Sequence, residues 1–187
     1  MLFSGKKNPS VAVLSDMATK QKRYEALVNA FHGDIYRYAY WLVHEKSIAE
    51  DIVQETFLRA WKALDSLKEV DKAKSWLITI LRRENARRFE RKQFDIVDID
   101  EHHIEDHDSI SSEETMEQQL IQRQILKLAP EYREPLLLQV VAGFNGDEIS
   151  HILQLNKNTV MTRLFRARNQ LKDNLDNSQS KRRQNNG

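Results

Sequence analysis

Glycine and proline are scarce in this chain: five glycines and three prolines stand among 187 residues. These two residues interrupt helices most strongly, so a chain poor in both runs into long helical stretches. The apolar residues agree. Tyr24, Leu27, Val28 and Phe31 recur at helical spacing, as do Ile35, Tyr38 and Leu42. The next helix carries Ile52, Val53, Phe57, Trp61 and Leu64 on one stripe, with Ser47 and Glu50 forming a capping-box pattern at its start. After a loop from Leu67 to Asp71, Asp71 can cap a helix that turns Ala73, Trp76, Leu77, Ile80 and Leu81 inward. Ser111 with Glu114, and Asn145 with Glu148, repeat the capping pattern. Pro135 falls near the first turn of a helix expected from Tyr132 to Val141, and Gly143 ends that helix. No alternating strand pattern of useful length is present, so the expected fold class is all-α.

The formal net charge is only +1, yet the charges are segregated. From Leu81 to Lys92 come Arg82, Arg83, Arg87, Arg88, Arg91 and Lys92 against Glu84 and Glu90. From Gln93 to Gln118 there are ten acidic residues and no Lys or Arg. From Lys157 to Lys172 there are five basic residues and no acid. Two basic segments are therefore separated by an acidic one whose apolar residues lack helical spacing. That segment reads as a flexible linker, too long and too polar for a loop inside one compact domain. The expectation is two small helical domains at 18–92 and 113–175, an acidic linker at 93–112, an N-terminal extension at 1–17 and a polar tail at 176–187.

The most specific chemistry lies between Gly146 and Leu171. Ile149, Ile152, Leu153, Leu155, Val160 and Leu164 form the apolar set of a helix-turn-helix. The second helix then exposes Lys157, Asn158, Met161, Thr162, Arg163, Phe165, Arg166 and Asn169. A helix fits the major groove, where amides and guanidiniums reach base edges and phosphates. The plainer reading is a solvated basic face in a small bundle; spacing and charge together favour DNA.

Three stretches carry a family resemblance. Gly143–Arg168 resembles the region 4 helix-turn-helix of extracytoplasmic-function (ECF) sigma factors of bacterial RNA polymerase. Ala49–Trp61 resembles their region 2 helix that grips the polymerase core, and Leu128–Leu138 is similar to the start of region 4. The likeness spans about residues 20–175, in the family's order. It implies a region 2 bundle at 18–92 for core binding and minus-ten recognition, and a region 4 domain at 113–175 for the minus-thirty-five element.

The resemblance implies roles residue by residue. Lys157, Asn158, Thr159, Thr162, Arg163 and Arg166 are expected at the upstream element: Thr159 at phosphate, Thr162 and Arg166 at bases, Arg163 at phosphate. Asp51, Gln54, Glu55, Phe57 and Trp61 are expected to dock on the clamp helices of the largest polymerase subunit. The flap of the second-largest subunit is the expected partner of region 4. The loop Leu67–Lys74, with Lys68 and Lys72, corresponds to one that captures a flipped-out base, whose extrusion costs a few kcal/mol. Arg82, Arg83, Arg87, Arg88 and Arg91 are expected along the opened strand. The resemblance further implies a cytoplasmic protein, a stress response and an anti-sigma factor, often membrane-bound. Departures are Asn158 for a frequent Gly, Met161 for a usual basic residue, Asn145-Gly146 for Ser plus an aromatic, and Arg83 and Arg87 where Asn and Asp are common.

Other chemistries are weakly supported. No cysteine is present, which removes disulfides and thiolate zinc sites. No apolar run approaches the roughly 20 residues needed to cross a bilayer, and residues 1–16 lack a signal-like apolar stretch. No nucleophile elbow or phosphate-cradling glycine loop occurs, so no catalytic residue, metal or cofactor is expected. His102, His103 and His107 among acids could hold a divalent cation, but ordering a flexible linker opposes it. Trp41, Trp61 and Trp76 lie on or near apolar stripes, and core packing is the simpler account of Trp61 and Trp76. An autonomous dimeric helix-turn-helix regulator and a helical protein adaptor are the competing functions; neither needs a core-docking helix beside an arginine-rich one.

Overall fold

The computed structural model describes residues 9–96 and 116–185. Seven α-helices make up the described fold: α1 Pro9–Val43, α2 Lys46–Ala63, α3 Ala73–Ile96, α4 Met116–Leu126, α5 Pro130–Val140, α6 Gly146–Leu153 and α7 Lys157–Asn185. No strand occurs among the described residues. Helix extends into three segments expected outside the two domains: α1 begins at Pro9 in the N-terminal extension, α3 runs to Ile96 within the linker expected at 93–112, and α7 runs to Asn185 in the polar tail. The Ser111–Glu114 pattern, the acidic linker from Val97 and the histidines at 102, 103 and 107 lie outside the described residues.

Helices α1–α3 form the first bundle. Its apolar stripes converge: Leu27, Ile35 and Tyr38 of α1, Ile52, Val53 and Phe57 of α2, and Leu77, Ile78 and Leu81 of α3 are all buried. The Tyr24 hydroxyl donates to the Phe57 carbonyl at 3.1 Å, tying α1 to α2. The cap of α2 is not the expected Ser47. Glu45 takes that place, its carboxylate accepting the Ser47 amide at 3.2 Å. The Ser47 hydroxyl also donates to Glu45, and hydrogen bonding holds the carboxyl below its ordinary range. Asp71 sits inside a 3₁₀ turn, Val70–Lys72, that feeds directly into α3.

Helices α4–α7 form the second domain. Helix α5 starts at Pro130, which takes the first helical position. Pro135 therefore lies inside the helix rather than in its first turn. Gly143 turns the chain at φ +79, a conformation that strains any other residue. The Asn145–Glu148 capping box forms as expected: the Asn145 side chain accepts the Asp147 and Glu148 amides at 2.9 and 3.0 Å, and Glu148 accepts the Asn145 amide at 2.8 Å. Gln154 closes α6 in the left-handed region at φ 54. Asn156 then caps α7 by accepting the Thr159 amide at 2.7 Å.

The two domains pack on one another. Leu27, Ile35 and Leu81 of the first belong to the same continuous apolar core as Ile125, Leu137, Ile149 and Leu164 of the second. Trp41 and Trp76 pack at the core's edge, and Trp61 is partly exposed. The Trp61 ring meets Tyr24 edge-on at 5.1 Å.

Candidate nucleic-acid interface

Burial of Val160, Leu164 and Ala167 fixes which side of α7 faces out. Asn158, Met161, Thr162, Phe165, Arg166 and Asn169 are exposed on the opposite side. The six residues expected at the upstream element come together in fact. Lys157, Asn158, Thr159, Thr162, Arg163 and Arg166 line one open cleft of about 650 Å³, joined by Asn156 and by Glu131 and Tyr132 of α5. The cleft sits at the amino end of α7, where free amides and the helix dipole favour an anion. The Tyr132 hydroxyl accepts a long hydrogen bond from Arg166 at 3.5 Å. Lys157 reaches back to Asp147 of α6 at 2.9 Å. Asn156 and Tyr132 were not expected at this site; an Asn just before a helix is a legible cap signal, whereas Tyr132 arrives only through packing.

The residues expected at the minus-ten strand divide. Lys68 and Lys72 are exposed on the loop, beside Val70 at 79% exposure. Lys72 pairs with Glu69 at 2.7 Å, and this hydrogen bond raises its pKa. On α3, Arg83 and Arg91 are exposed and Arg88 is half-buried. Arg87 donates to Glu84 at 2.8 Å. Glu84 is only 8% exposed and is also paired with Arg59 of α2 at 2.6 Å, so a buried carboxylate binds the two helices through two guanidiniums. Phe89 stands 59% exposed among these arginines.

Arg82 does something else. It turns toward the second domain, where Nε and Nη2 donate to the two carboxylate oxygens of Glu134 at 2.5 and 3.3 Å, and Nη1 donates to the Ile152 carbonyl at 2.7 Å. The fully buried Tyr38 lies next to this pair. Burial pushes its phenol up, Glu134 adds to the rise and Arg82 opposes it. The pairing roles of Glu84 and Glu134 are not legible in the sequence, where each reads as an ordinary surface acid.

On α2, Asp51 and Gln54 are exposed and Glu55 partly so, its carboxylate 3.0 Å from Arg59. Trp61 is partly exposed, with the Lys20 ammonium over its ring at 5.4 Å. Phe57 departs from the expected docking surface. It is 6% exposed and stacked on His32 at 5.7 Å, because it continues the buried stripe of Ile52 and Val53. Among the described residues, no group of three or more His, Asp or Glu could hold a metal ion. No helix there is long and apolar enough to cross a membrane.

A cationic helix-turn-helix paired with a bundle that bears an arginine-rich helix defines a two-domain, DNA-binding transcription protein. The comparisons narrow that class. Sigma-70 region 2 matches residues 27–94, and Sigma-70, region 4 matches residues 118–171. The RNA polymerase sigma factor SigV of Bacillus subtilis is 33% identical over 134 residues, covering 72% of this chain and 80% of the relative. RNA polymerase sigma factor YlaC of the same organism is 27% identical over 165 residues, 85% of this chain and 95% of the relative. Among solved structures, the sigma factor RpoE in complex with the anti-sigma factor NepR from Bartonella quintana matches with a TM-score of 0.75 at 26% identity, covering 83% of this chain and 98% of that one. The chain belongs to the sigma-70 family of RNA polymerase sigma factors, in its extracytoplasmic-function group.

Proposed function

We propose that this chain is the non-catalytic specificity subunit of a bacterial RNA polymerase, working in the cytoplasm in a stress response. Residues 18–92 act as region 2, 113–175 as region 4, and 93–112 as the linker between them. Asp51, Gln54, Glu55 and Trp61 of α2 dock on the clamp helices of the largest subunit, with Phe57 supporting that face from the core. Region 4 meets the flap of the second-largest subunit. Lys157, Asn158, Thr159 and Arg163 engage phosphates and groove edges of the upstream element, and Thr162 and Arg166 reach bases. Lys68 and Lys72 flank the captured base, and Arg82, Arg83, Arg87, Arg88 and Arg91 hold the melted strand. The observation that carries this reading is the convergence of all six α7 residues in one cleft at a helix amino terminus. An anti-sigma factor controls the protein, a role supported by its likeness to a sigma factor crystallised with one.

Run-off transcription with bacterial core polymerase tests the proposal, using a library of promoter fragments from the source genome. Transcripts with defined starts that require this chain are expected. Absence of both transcripts and core binding would replace it with an autonomous DNA-binding regulator.

A further inference from the structure

The outward face of α7 carries two ridges of different character. Asn158, Thr162 and Arg166 follow one another at helical spacing and open on the cleft at the helix's amino end. Beside them run Met161 and Phe165, one turn apart, 48% and 64% exposed and outside that cleft. The two make an apolar patch on an otherwise cationic surface. Met161 is also seated. A Cβ on Gly146, the first residue of α6, would stand 3.2 Å from the Met161 sulfur. Gly146 thus leaves the space against which the thioether lies, and a larger residue there would push it away. A free methionine gives up rotamer freedom when it binds. One already laid against the neighbouring helix gives up less.

We propose that Met161 is a base-reading residue of α7 that selects thymine through its 5-methyl group, with Gly146 as its seat. This inference rests on the assignment of α7 to the upstream element. Met161 shares its exposed face with Thr162 and Arg166, so the surface that receives those two receives the methionine as well. In the major groove thymine alone of the four bases presents a methyl group, and apolar side chains recognise it by contact. Methionine has no hydrogen-bond donor and only a weak acceptor, so it gains little from the polar edges of guanine or cytosine. Its unbranched, polarizable chain suits a methyl group at a ring edge. Phe165 extends the same apolar patch along the helix. Selection by α7 is then of two kinds: hydrogen bonds from Thr162 and Arg166, and burial of a methyl group by Met161.

The test uses holoenzyme assembled with bacterial core polymerase, which selects its upstream element from a random duplex library. Each thymine of the selected element, on either strand, is then replaced in turn by deoxyuridine. That change keeps the base pair's hydrogen bonds and removes only the methyl group. The parent is expected to lose about fourfold in affinity at one thymine, the worth of one buried methyl group. Met161→Ala is expected to bind the unmodified element more weakly and to show no preference for thymine over deoxyuridine there, at unchanged affinity for core. Gly146→Ala, which adds one carbon and no DNA contact, should shrink the fourfold preference; a preference kept in full would overturn the seat. Absence of any methyl-sensitive thymine in the parent, or its persistence in Met161→Ala, would overturn the reading of Met161. Weaker core binding by Met161→Ala with the preference intact would move the patch to a polymerase surface and overturn it equally. A parent that binds core yet selects no duplex would instead remove the upstream-element assignment itself, so the two failures are told apart.

Discussion

Arg82 and Glu134 stand 52 residues apart in the sequence, yet Nε of one lies 2.5 Å from Oε1 of the other. The Arg82 fork meets both carboxylate oxygens of Glu134 across the domain boundary, and the same arginine also caps the Ile152 carbonyl at 2.7 Å. An ammonium carries its donors on one nitrogen and lacks the planar fork that reaches both carboxylate oxygens and the carbonyl here. Arg82→Lys is therefore expected to lower stability by about 1–2 kcal/mol, the worth of one or two lost hydrogen bonds. Urea unfolding of the full chain measures this. Unchanged stability would mean that the apolar contact alone holds the domains.

Glu84 joins α2 to α3 from a nearly buried position, with Arg59 at 2.6 Å and Arg87 at 2.8 Å. Glu84→Ala is expected to cost about 1–3 kcal/mol, since Arg87 loses a charged hydrogen-bond acceptor and Arg59 its ion-pair partner. The lower part of that range suits the partners, which keep 38% and 48% side-chain exposure and can rehydrate. Adding Arg87→Ala to Glu84→Ala should cost little more, because the two share one interaction. Additive losses in the same unfolding assay would show that they act apart.

What the sequence made legible follows from period. Val160, Leu164 and Ala167 recur at helical spacing and are buried, so the outward face of α7 could be read directly. Phe57 obeyed the same rule as part of the α2 stripe, and only its assignment to a docking surface drew it outward. The arginine run of α3 was less readable. As a string it is uniformly basic, but packing sends Arg82 across the domain boundary, ties Arg87 to Glu84 and leaves Arg83 in solvent. Those fates depend on residues on other helices, which local spacing cannot supply. At the start of α2 the Ser47–Glu50 template fitted the letters, but Glu45 stands nearer the free amide and takes it.

Gln154 ends α6 at φ 54, a backbone conformation where a Cβ is crowded and glycine is not. Gln154→Gly is expected to stabilise the protein by about 1 kcal/mol, relief of that strain exceeding the extra entropy of the unfolded chain. A rise in melting temperature with unchanged DNA binding is the expected result. A fall would place a stabilising contact on the Gln154 side chain.

Asp51 is exposed on α2, on the face proposed to meet the polymerase clamp. Reversing its charge leaves the buried stripe untouched, so Asp51→Arg should fold normally and weaken core binding by at least tenfold, about 1.4 kcal/mol or more. Surface plasmon resonance against immobilised core polymerase reads the affinity. Normal affinity with normal folding would move the docking surface elsewhere.

Arg166 and Thr162 are exposed on α7, and Tyr132 steadies the arginine from α5. A guanidinium reading a base edge contributes about 1–3 kcal/mol of discrimination, whereas one on a phosphate weakens all sequences alike. Arg166→Ala should therefore lower affinity for the upstream element within that range and flatten the preference at one base position. Tyr132→Phe should produce a smaller change of the same kind, since it removes only the hydroxyl that orients the fork. Binding titrations of holoenzyme on single-base variants of the element, at fixed salt, separate the outcomes. A uniform loss on every variant would assign Arg166 to the backbone and leave base reading on α7 to Thr162 and Met161.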